Sequence, residues 1–299
     1  MKILCCGIFP ALQRTLELKT LKTGAVNRVR SVTRSVGGKA TNAARVLKTL
    51  GADPLLFGFA GGENGAAVRR LLKQEGIQHA FVETEAETRV CQTLLADDAH
   101  DFTEIIEDSE PLVSKHWKNL LQKFQDLETD RILISGTLPA HAPQEIYAEL
   151  IQLADVPVIL DTSGAPLLAA LKHRPALVKI NAAELKKTTG IETIEDAAQE
   201  LIAQGAQAVG VTRGKDSALL ATRHSTLDFC VPNVDVVSTL GCGDSVNAGI
   251  AFSLAKGNSL TEAFVFGLAC GAANAQTALP GVVKPEQIAK FSRQIERSE

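Results

Sequence analysis

The sequence predicts an α/β protein built on a mostly parallel, doubly wound sheet. Short apolar runs alternate with stretches of helical period along most of the 299 residues. Four such runs, at 132–135, 156–160, 177–180 and 208–212, are each separated by enough chain for a crossover helix. From Gly243 onward the chain reads as helix, near 244–256, 261–277 and 285–296.

The N-terminal elements follow the same rhythm. Residues 3–8 form an apolar run and are expected as the first strand. Residues 41–50 place Ala43, Val46, Leu47 and Leu50 on one stripe, the pattern of a helix lying on a sheet. Residues 55–60 predict a strand, and 66–74 a helix carrying Val68, Leu71 and Leu72. Two segments break the rhythm. Residues 14–36 and 89–107 carry β-formers alternating with polar residues, so antiparallel strands with one wet face are expected there. They would form a small sheet outside the main one, a lid or dimerisation element over about 11–36 and 86–109, within one domain spanning 1–299.

Composition limits the function. There are 31 basic against 34 acidic side chains and a formal net charge of −3, which gives no pull toward nucleic acid. One Trp and one Tyr leave few platforms on which bases could stack. No run approaches the ~20 apolar residues that a membrane span needs. The six cysteines, at 5, 6, 91, 230, 242 and 270, show no C-x-x-C spacing, and H-E-x-x-H is absent. Cys5 and Cys6 lie in an apolar run that resembles a leader, but Pro10 interrupts it and no cleavage site of small residues follows. Reduced thiols in a cytoplasmic protein are the expectation.

Two glycine-bearing runs carry the chemistry. Ser238-Thr239-Leu240-Gly241-Cys242-Gly243-Asp244-Ser245 precedes an apolar helix. Glycines there present bare N–H groups at a helix N-terminus, which attracts anions. Asp244 on its own would read as an N-cap. Gly37-Gly38-Lys39-Ala40-Thr41-Asn42-Ala43-Ala44-Arg45 again sets paired glycines before a helix, with Lys39 and Asn42 beside them. It is no Walker A loop, and no G-x-G-x-x-G follows the first strand, so a dinucleotide-binding dehydrogenase is disfavoured.

Together the two runs resemble the signatures of the PfkB (ribokinase-like) carbohydrate kinases, most closely the branch of 1-phosphofructokinase and tagatose-6-phosphate kinase. Further matches keep the family order: Gly61-Gly62 with Gly65, Thr88-Arg89, Thr103-Glu104, Ser135-Gly136-Thr137-Leu138-Pro139, Asp161-Thr162-Ser163-Gly164, Lys179-Ile180-Asn181 with Glu184, and Thr212-x-Gly214. The resemblance implies a three-layer α/β/α core with a β-sheet lid. It implies transfer of a phosphoryl group from ATP to a hydroxyl of a phosphorylated ketohexose, with Mg²⁺ bridging phosphates. Asp244 would take the hydroxyl proton, and the amides of Gly241, Cys242 and Gly243 would hold the transferring charge. Lys179, Asn181, Thr212, Gly214, Gly241, Gly243 and Asn274 would lie along ATP. Glu184 would hold Mg²⁺ through water. Gln13, Gly37, Gly38, Lys39, Asn42 and Arg89 would line the acceptor site, with Lys39 and Arg89 on the sugar's phosphate. A homodimer through the lid strands is implied as well.

Several residues depart from the family pattern. Gln13 stands where the branch carries an Asp that holds sugar hydroxyls, and an amide donates as well as accepts. Ala40, Cys91, His141 and Ser217 replace a usual Gly, Asn, Gly and Gly, while Cys242 replaces Ala or Ser. Because that residue contributes a backbone N–H, the change is expected to be tolerated, with a thiol there open to oxidation. These changes sit mainly on the acceptor side. A ribokinase- or nucleoside-kinase-like enzyme on an unphosphorylated acceptor, or a non-catalytic sugar-phosphate or nucleotide sensor, therefore remains as an alternative reading.

Overall fold

A computed structural model describes residues 1–98 and 102–297. The first part of the chain forms β1 (Lys2–Cys6), β2 (Ala11–Leu18), β3 (Ser31–Gly37), α1 (Lys39–Thr49), β4 (Asp53–Phe57) and β5 (Phe59–Gly61). Next come α2 (Gly62–Glu75), β6 (Gln78–His79), β7 (Val82–Thr84), β8 (Val90–Ala96) and β9 (Thr103–Ile106). The middle holds α3 (Ser114–Gln125), β10 (Arg131–Ser135), α4 (Ile146–Leu153), β11 (Val158–Asp161), α5 (Ala165–Leu171) and β12 (Leu177–Asn181). It continues through α6 (Ala182–Thr189), α7 (Ile194–Ala203), β13 (Ala208–Thr212), β14 (Ala218–Thr222) and β15 (Thr226–Cys230). The chain ends in α8 (Cys242–Ala255), α9 (Leu260–Ala275), α10 (Pro285–Ser292) and β16 (Glu296–Arg297).

The main sheet has the order β16-β15-β14-β13-β12-β11-β10-β1-β4-β6. From β13 to β6 every pairing is parallel, and β14, β15 and β16 extend the β13 edge antiparallel. Both faces are covered, which is why the central strands read as unbroken apolar runs rather than alternating ones. Ile3 and Cys5 of β1 point into one core with Leu47, Ala248 and Phe264, while Leu4 and Cys6 point into the other with Leu120, Tyr147 and Leu167. The strand order reverses beside β1, whose neighbours are β10 and β4. Ligands of doubly wound sheets bind off the carboxyl ends of the strands at such a point.

The expected α/β class and parallel sheet are present, with three differences. The strand expected over 55–60 breaks at Gly58, where a Cβ would stand 2.4 Å from the carbonyl oxygen of Gly7; β5 then leaves the main sheet to pair with β7. The hairpin β14–β15 was not expected, because residues 218–230 lack a turn signal strong enough to divide them. The last helix stops at Ser292 rather than 296, and residues 296 and 297 add the edge strand.

The small sheet has the order β3-β2-β8-β9. Its outer pairs, β2–β3 and β8–β9, are antiparallel as expected, but β2 and β8 join them in parallel. Local pattern carries the hairpins. The parallel pairing depends on which strands the main fold brings together. Residues 19–30, inside the segment expected as β, contain turns and no strand. Residues 99–101 of the expected segment 86–109 lie outside the described residues.

Candidate active site

A cavity of about 710 Å³ opens between the carboxyl ends of the central strands and the inner face of the small sheet. Gly7, Ser135, Asp161 and Asn181 line it from the main sheet, and Gln13, Thr33, Arg89 and Thr93 from the small one. The N-termini of α1 and α8 also meet there, contributing Gly38, Lys39, Asn42, Gly241, Gly243 and Asp244.

Asp244 is the third residue of α8. Gly241 caps that helix at φ +79, in the left-handed region, where a Cβ would also stand 2.6 Å from Pro280. Asp244 therefore does no capping. Its carboxylate instead accepts a hydrogen bond from Asn42 Nδ2 at 2.8 Å, across 202 residues of sequence. Asp244 is only 7% exposed. Burial, reinforced by the negative charge of Asp161, pushes its carboxyl up to about 6, against the opposing pull of Asn42, Lys39 and Lys179. A carboxylate poised there takes up a proton more readily than an ordinary aspartate and is still ionised at neutral pH.

Asp161, at the end of β11, organises the cations. It is 2% exposed and accepts from Lys39 Nζ at 3.0 Å, from Lys179 Nζ at 3.5 Å and from Asn247 Nδ2. Burial favours its neutral form, but Lys179, Lys39 and the hydrogen bonds prevail and hold it below the usual aspartate range. Lys39 also lies 3.9 Å from Glu184 Oε1. Burial opposes its charge, yet Asp161, Glu184 and Asp244 together raise it, so Lys39 remains an ammonium. Lys39 and Arg89 are the two cations expected at the sugar's phosphate. The structure joins Lys39 to Asp161 and Glu184, while Arg89 donates to the carbonyl oxygen of Phe9 at 3.2 Å, so the two cations share no partner.

Asn181 and Glu184 form a capping box on α6. Glu184 N donates to Asn181 Oδ1 at 2.8 Å and Asn181 N to Glu184 Oε2 at 3.3 Å. The pair is thus a helix start as well as a cavity wall. Among the described residues no group of three or more His, Cys, Asp or Glu is placed to hold a metal ion directly. A single partly exposed carboxylate beside Asn181 suits a cation that keeps its own waters, as Mg²⁺ does.

The amides at the start of α8 are not equivalent. Cys242 N already donates to Thr239 O at 3.3 Å, whereas the amides of Gly241, Gly243 and Asp244 donate to no acceptor among the described residues. Two of the three amides expected to receive anionic charge are open, and Asp244 adds one that was not expected. Lys179 Nζ sits 2.7 Å from where a Cβ of Gly243 would be, so an ammonium backs these donors. The Cys242 thiol is pushed up to about 11 by burial, which keeps it protonated and blunts the expected sensitivity to oxidation.

The remaining nucleotide residues are placed differently from one another. Thr212 pairs with Asn181 across β12–β13, and Gly214 makes the turn into β14 at φ +66, but neither lines the cavity. Asn274 is fully buried, with no free hydrogen-bonding atom. Its Nδ2 donates to Leu240 O at 2.9 Å, and its Oδ1 accepts from Ser245 Oγ at 3.0 Å and Gly281 N at 2.8 Å. Asn274 thus braces the 238–241 loop against the 278–281 loop.

On the acceptor wall, Gln13 Nε2 donates to Thr93 Oγ1 at 2.9 Å, and its side chain lies against Gly37. The methyl group of Ala40 lies 2.6 Å from where a Cβ of Gly7 would be, so the alanine at 40 is accommodated by the glycine at 7. His141 is exposed, and Ser217 Oγ accepts from Arg213 Nη1 at 3.3 Å. Sequence reasoning gave no role to Asp161, Arg45, Glu75 or Asn247. A carboxylate closing an otherwise apolar strand was the available signal for Asp161; none marked Glu75 or Asn247.

Residues 2–286 match the family model described as pfkB family carbohydrate kinase. Phosphofructokinase-2 from Escherichia coli, solved with potassium, is similar over 98% of each chain at 26% identity and a TM-score of 0.91. The same enzyme solved with fructose-6-phosphate gives 26% identity, 98% of each chain and a TM-score of 0.88. A Thermotoga maritima protein designated "possible 1-phosphofructokinase" shares the fold at 22% identity, over 100% of each chain, with a TM-score of 0.88. The fold is that of the ribokinase-like enzymes, and the chain belongs to the pfkB family of ATP-dependent carbohydrate kinases.

Proposed function

We propose that the protein transfers the γ-phosphoryl group of ATP to a hydroxyl of a phosphorylated ketohexose, of the 1-phosphofructokinase, 6-phosphofructokinase or tagatose-6-phosphate kinase type. The observation that carries this reading is Asp244, buried at the N-terminus of α8, raised to about 6 and bonded to Asn42 on the acceptor wall. Asp244 accepts the proton of the attacking hydroxyl as the phosphoryl group departs from ATP. The open amides of Gly241 and Gly243, with Lys179 behind them, face the charge that develops on the transferring group. Asn181 and Glu184 would hold Mg²⁺ through its waters, and that ion supplies neutralisation of the ATP phosphates. Gln13, Gly37, Gly38 and Asn42 take the sugar hydroxyls, and Arg89 takes the phosphate already on the sugar. A homodimer through the lid strands and a cytoplasmic setting, where ATP is abundant and the six cysteines stay reduced, complete the reading.

One observation favours a second acceptor class. Lys39 and Lys179 are committed to Asp161 and Arg45 to Glu75, which leaves Arg89 as the cavity-lining cation with no carboxylate partner among the described residues. An unphosphorylated sugar or nucleoside would need no more than that. The test is Mg²⁺- and ATP-dependent ADP release over fructose 1-phosphate, fructose 6-phosphate, tagatose 6-phosphate, free hexoses, pentoses and nucleosides, with Asp244→Asn alongside. A ketohexose phosphate is expected as the best acceptor, with its turnover lost in the variant. A free sugar or nucleoside as the best acceptor would overturn the phosphate assignment of Arg89. Ligand-induced thermal stabilisation without turnover would point to a sensor.

A further inference from the structure

Arg45 lies on α1 three residues beyond Asn42, and its guanidinium is held from three elements. Nε and Nη2 donate to the two carboxylate oxygens of Glu75, the last residue of α2, at 2.7 and 2.9 Å. Nη2 also donates to Val36 O near the end of β3 at 2.8 Å, and Nη1 to Asn42 Oδ1 at 3.3 Å. Asn42 in turn gives Nδ2 to Asp244 Oδ2. The chain of contacts Glu75–Arg45–Asn42–Asp244 therefore runs from the end of α2, at the cavity wall, to the candidate base.

We propose that Arg45 is a positioning residue for phosphoryl transfer: it fixes the carboxamide of Asn42 with the NH₂ group toward Asp244, and Glu75 holds Arg45 in place. The inference rests on the reading of Asp244 as proton acceptor. A carboxamide has two ends of nearly equal size, and only its hydrogen-bonding neighbours decide which way it points. Arginine carries donors and no acceptor, so it admits only the oxygen of Asn42. Turned the other way, Asn42 would set its NH₂ against the guanidinium and its oxygen against the Asp244 carboxylate. Both contacts would be repulsive. The fork to Glu75 uses two N–H groups in one plane and gives Arg45 a single pose, which a lysine ammonium does not reproduce. Because the same guanidinium holds Val36, the partner of the base and the entry to the Gly37-Gly38 turn share one anchor.

The test uses the full chain, ATP and the acceptor with the highest wild-type rate in the panel above. Arg45→Met, Arg45→Lys, Asn42→Ala and the double variant Arg45→Met/Asn42→Ala are compared for kcat and for each KM. Arg45→Met is expected to lower kcat by about tenfold or more, a part of what losing a general base costs, with the KM for ATP within about twofold. Arg45→Lys should fall equally, since it lacks the fork. The double variant should be no slower than Asn42→Ala, because the effect of Arg45 passes through Asn42. Additive losses in the double variant, or a folded Arg45→Met with wild-type kcat, would overturn the proposal. If Arg45→Met does not fold, Glu75→Gln keeps the arginine and loosens its clamp. A loss of a few-fold in kcat that vanishes in the Asn42→Ala background is then expected, and additivity there would count against the proposal in the same way. Asp244→Asn separates the two readings: activity retained in it sinks the base itself, whereas activity lost in it with additive Arg45 and Asn42 effects sinks only the positioning role.

Discussion

Lys39 and Asp161, 122 residues apart in sequence, form an ion pair at 3.0 Å inside the cavity. Asp161 serves Lys179 and Asn247 with its other oxygen. One buried carboxylate thus gathers two ammonium groups at the point where ATP and acceptor would meet, and its charge reaches Asp244.

Asp161→Asn keeps the size of the side chain and removes that charge. Lys179 is left buried without its counter-ion, a change that costs about 3–5 kcal/mol when one partner of a buried pair is removed. Chemical denaturation should read that loss. At the same time the repulsion that raises Asp244 disappears while Lys39 and Lys179 remain, so the acidic limb of kcat should move to lower pH. A limb that stays in place or moves up would show that Asp161 does not act on Asp244.

Asp244 gives stability and activity opposite pH dependences. Its folded value, about 6, lies above the ordinary 3.8. Between those two values the folded chain holds the proton longer than the unfolded one, so this group's contribution to stability declines as pH rises through that window. Activity runs the other way, because only the carboxylate can accept a proton, and kcat should fall tenfold per pH unit below about 6. Asp244→Asn should then lose about 10²–10⁴ in kcat yet melt at the same or a higher temperature above pH 6, since a buried charge has been removed. A variant both inactive and markedly less stable at pH 8 would contradict this account.

Arg89 tests the acceptor. A charge-assisted hydrogen bond contributes about 1.5–3 kcal/mol, so Arg89→Ala should raise the KM for a sugar phosphate by roughly 10- to 150-fold. The KM for ATP and the rate at saturating acceptor should change little. Steady-state kinetics with each substrate varied in turn provides the measurement. An unchanged acceptor KM would favour the unphosphorylated class.

The elements around this site were legible in the sequence where a local pattern decided them. The parallel strands show as apolar runs because helices cover both faces, and α1 shows its stripe because Ala43, Val46 and Leu47 are buried while Lys48 and Thr49 at its end are exposed. Gly37-Gly38 and Gly241-x-Gly243 mark the two helix starts for the same local reason: bare backbone is visible in composition. Partnership was not legible. Lys39 stands beside Asn42 in sequence and is expected on the sugar phosphate with Arg89, yet Asp161 at the end of β11 and Glu184 in the first turn of α6 pair with it. The parallel register of β2 with β8 was hidden likewise, since nothing in either strand names the other. Arg45 was in plain view within the first glycine run, but its role appears only when Glu75 and Val36 close around it.

Asn274 is expected to act on ATP binding as a brace rather than as a contact. Its amide satisfies Leu240 O, Ser245 Oγ and Gly281 N at once, and it is fully buried. Asn274→Ala leaves Leu240 O and Gly281 N to find new partners, each orphan costing about 1–3 kcal/mol if it finds none, while Ser245 Oγ keeps Gly241 O at 2.9 Å. A lowered melting temperature is therefore expected together with a raised KM for ATP, because the Gly241 and Gly243 amides lose the brace that aims them. Ser245→Ala, which removes one of the three bonds, should reproduce a fraction of both effects in the same proportion. A direct contact would behave differently: Asn274→Ala would weaken ATP binding at unchanged stability, and Ser245→Ala would do nothing. The ratio of the two effects across the two variants decides between brace and contact.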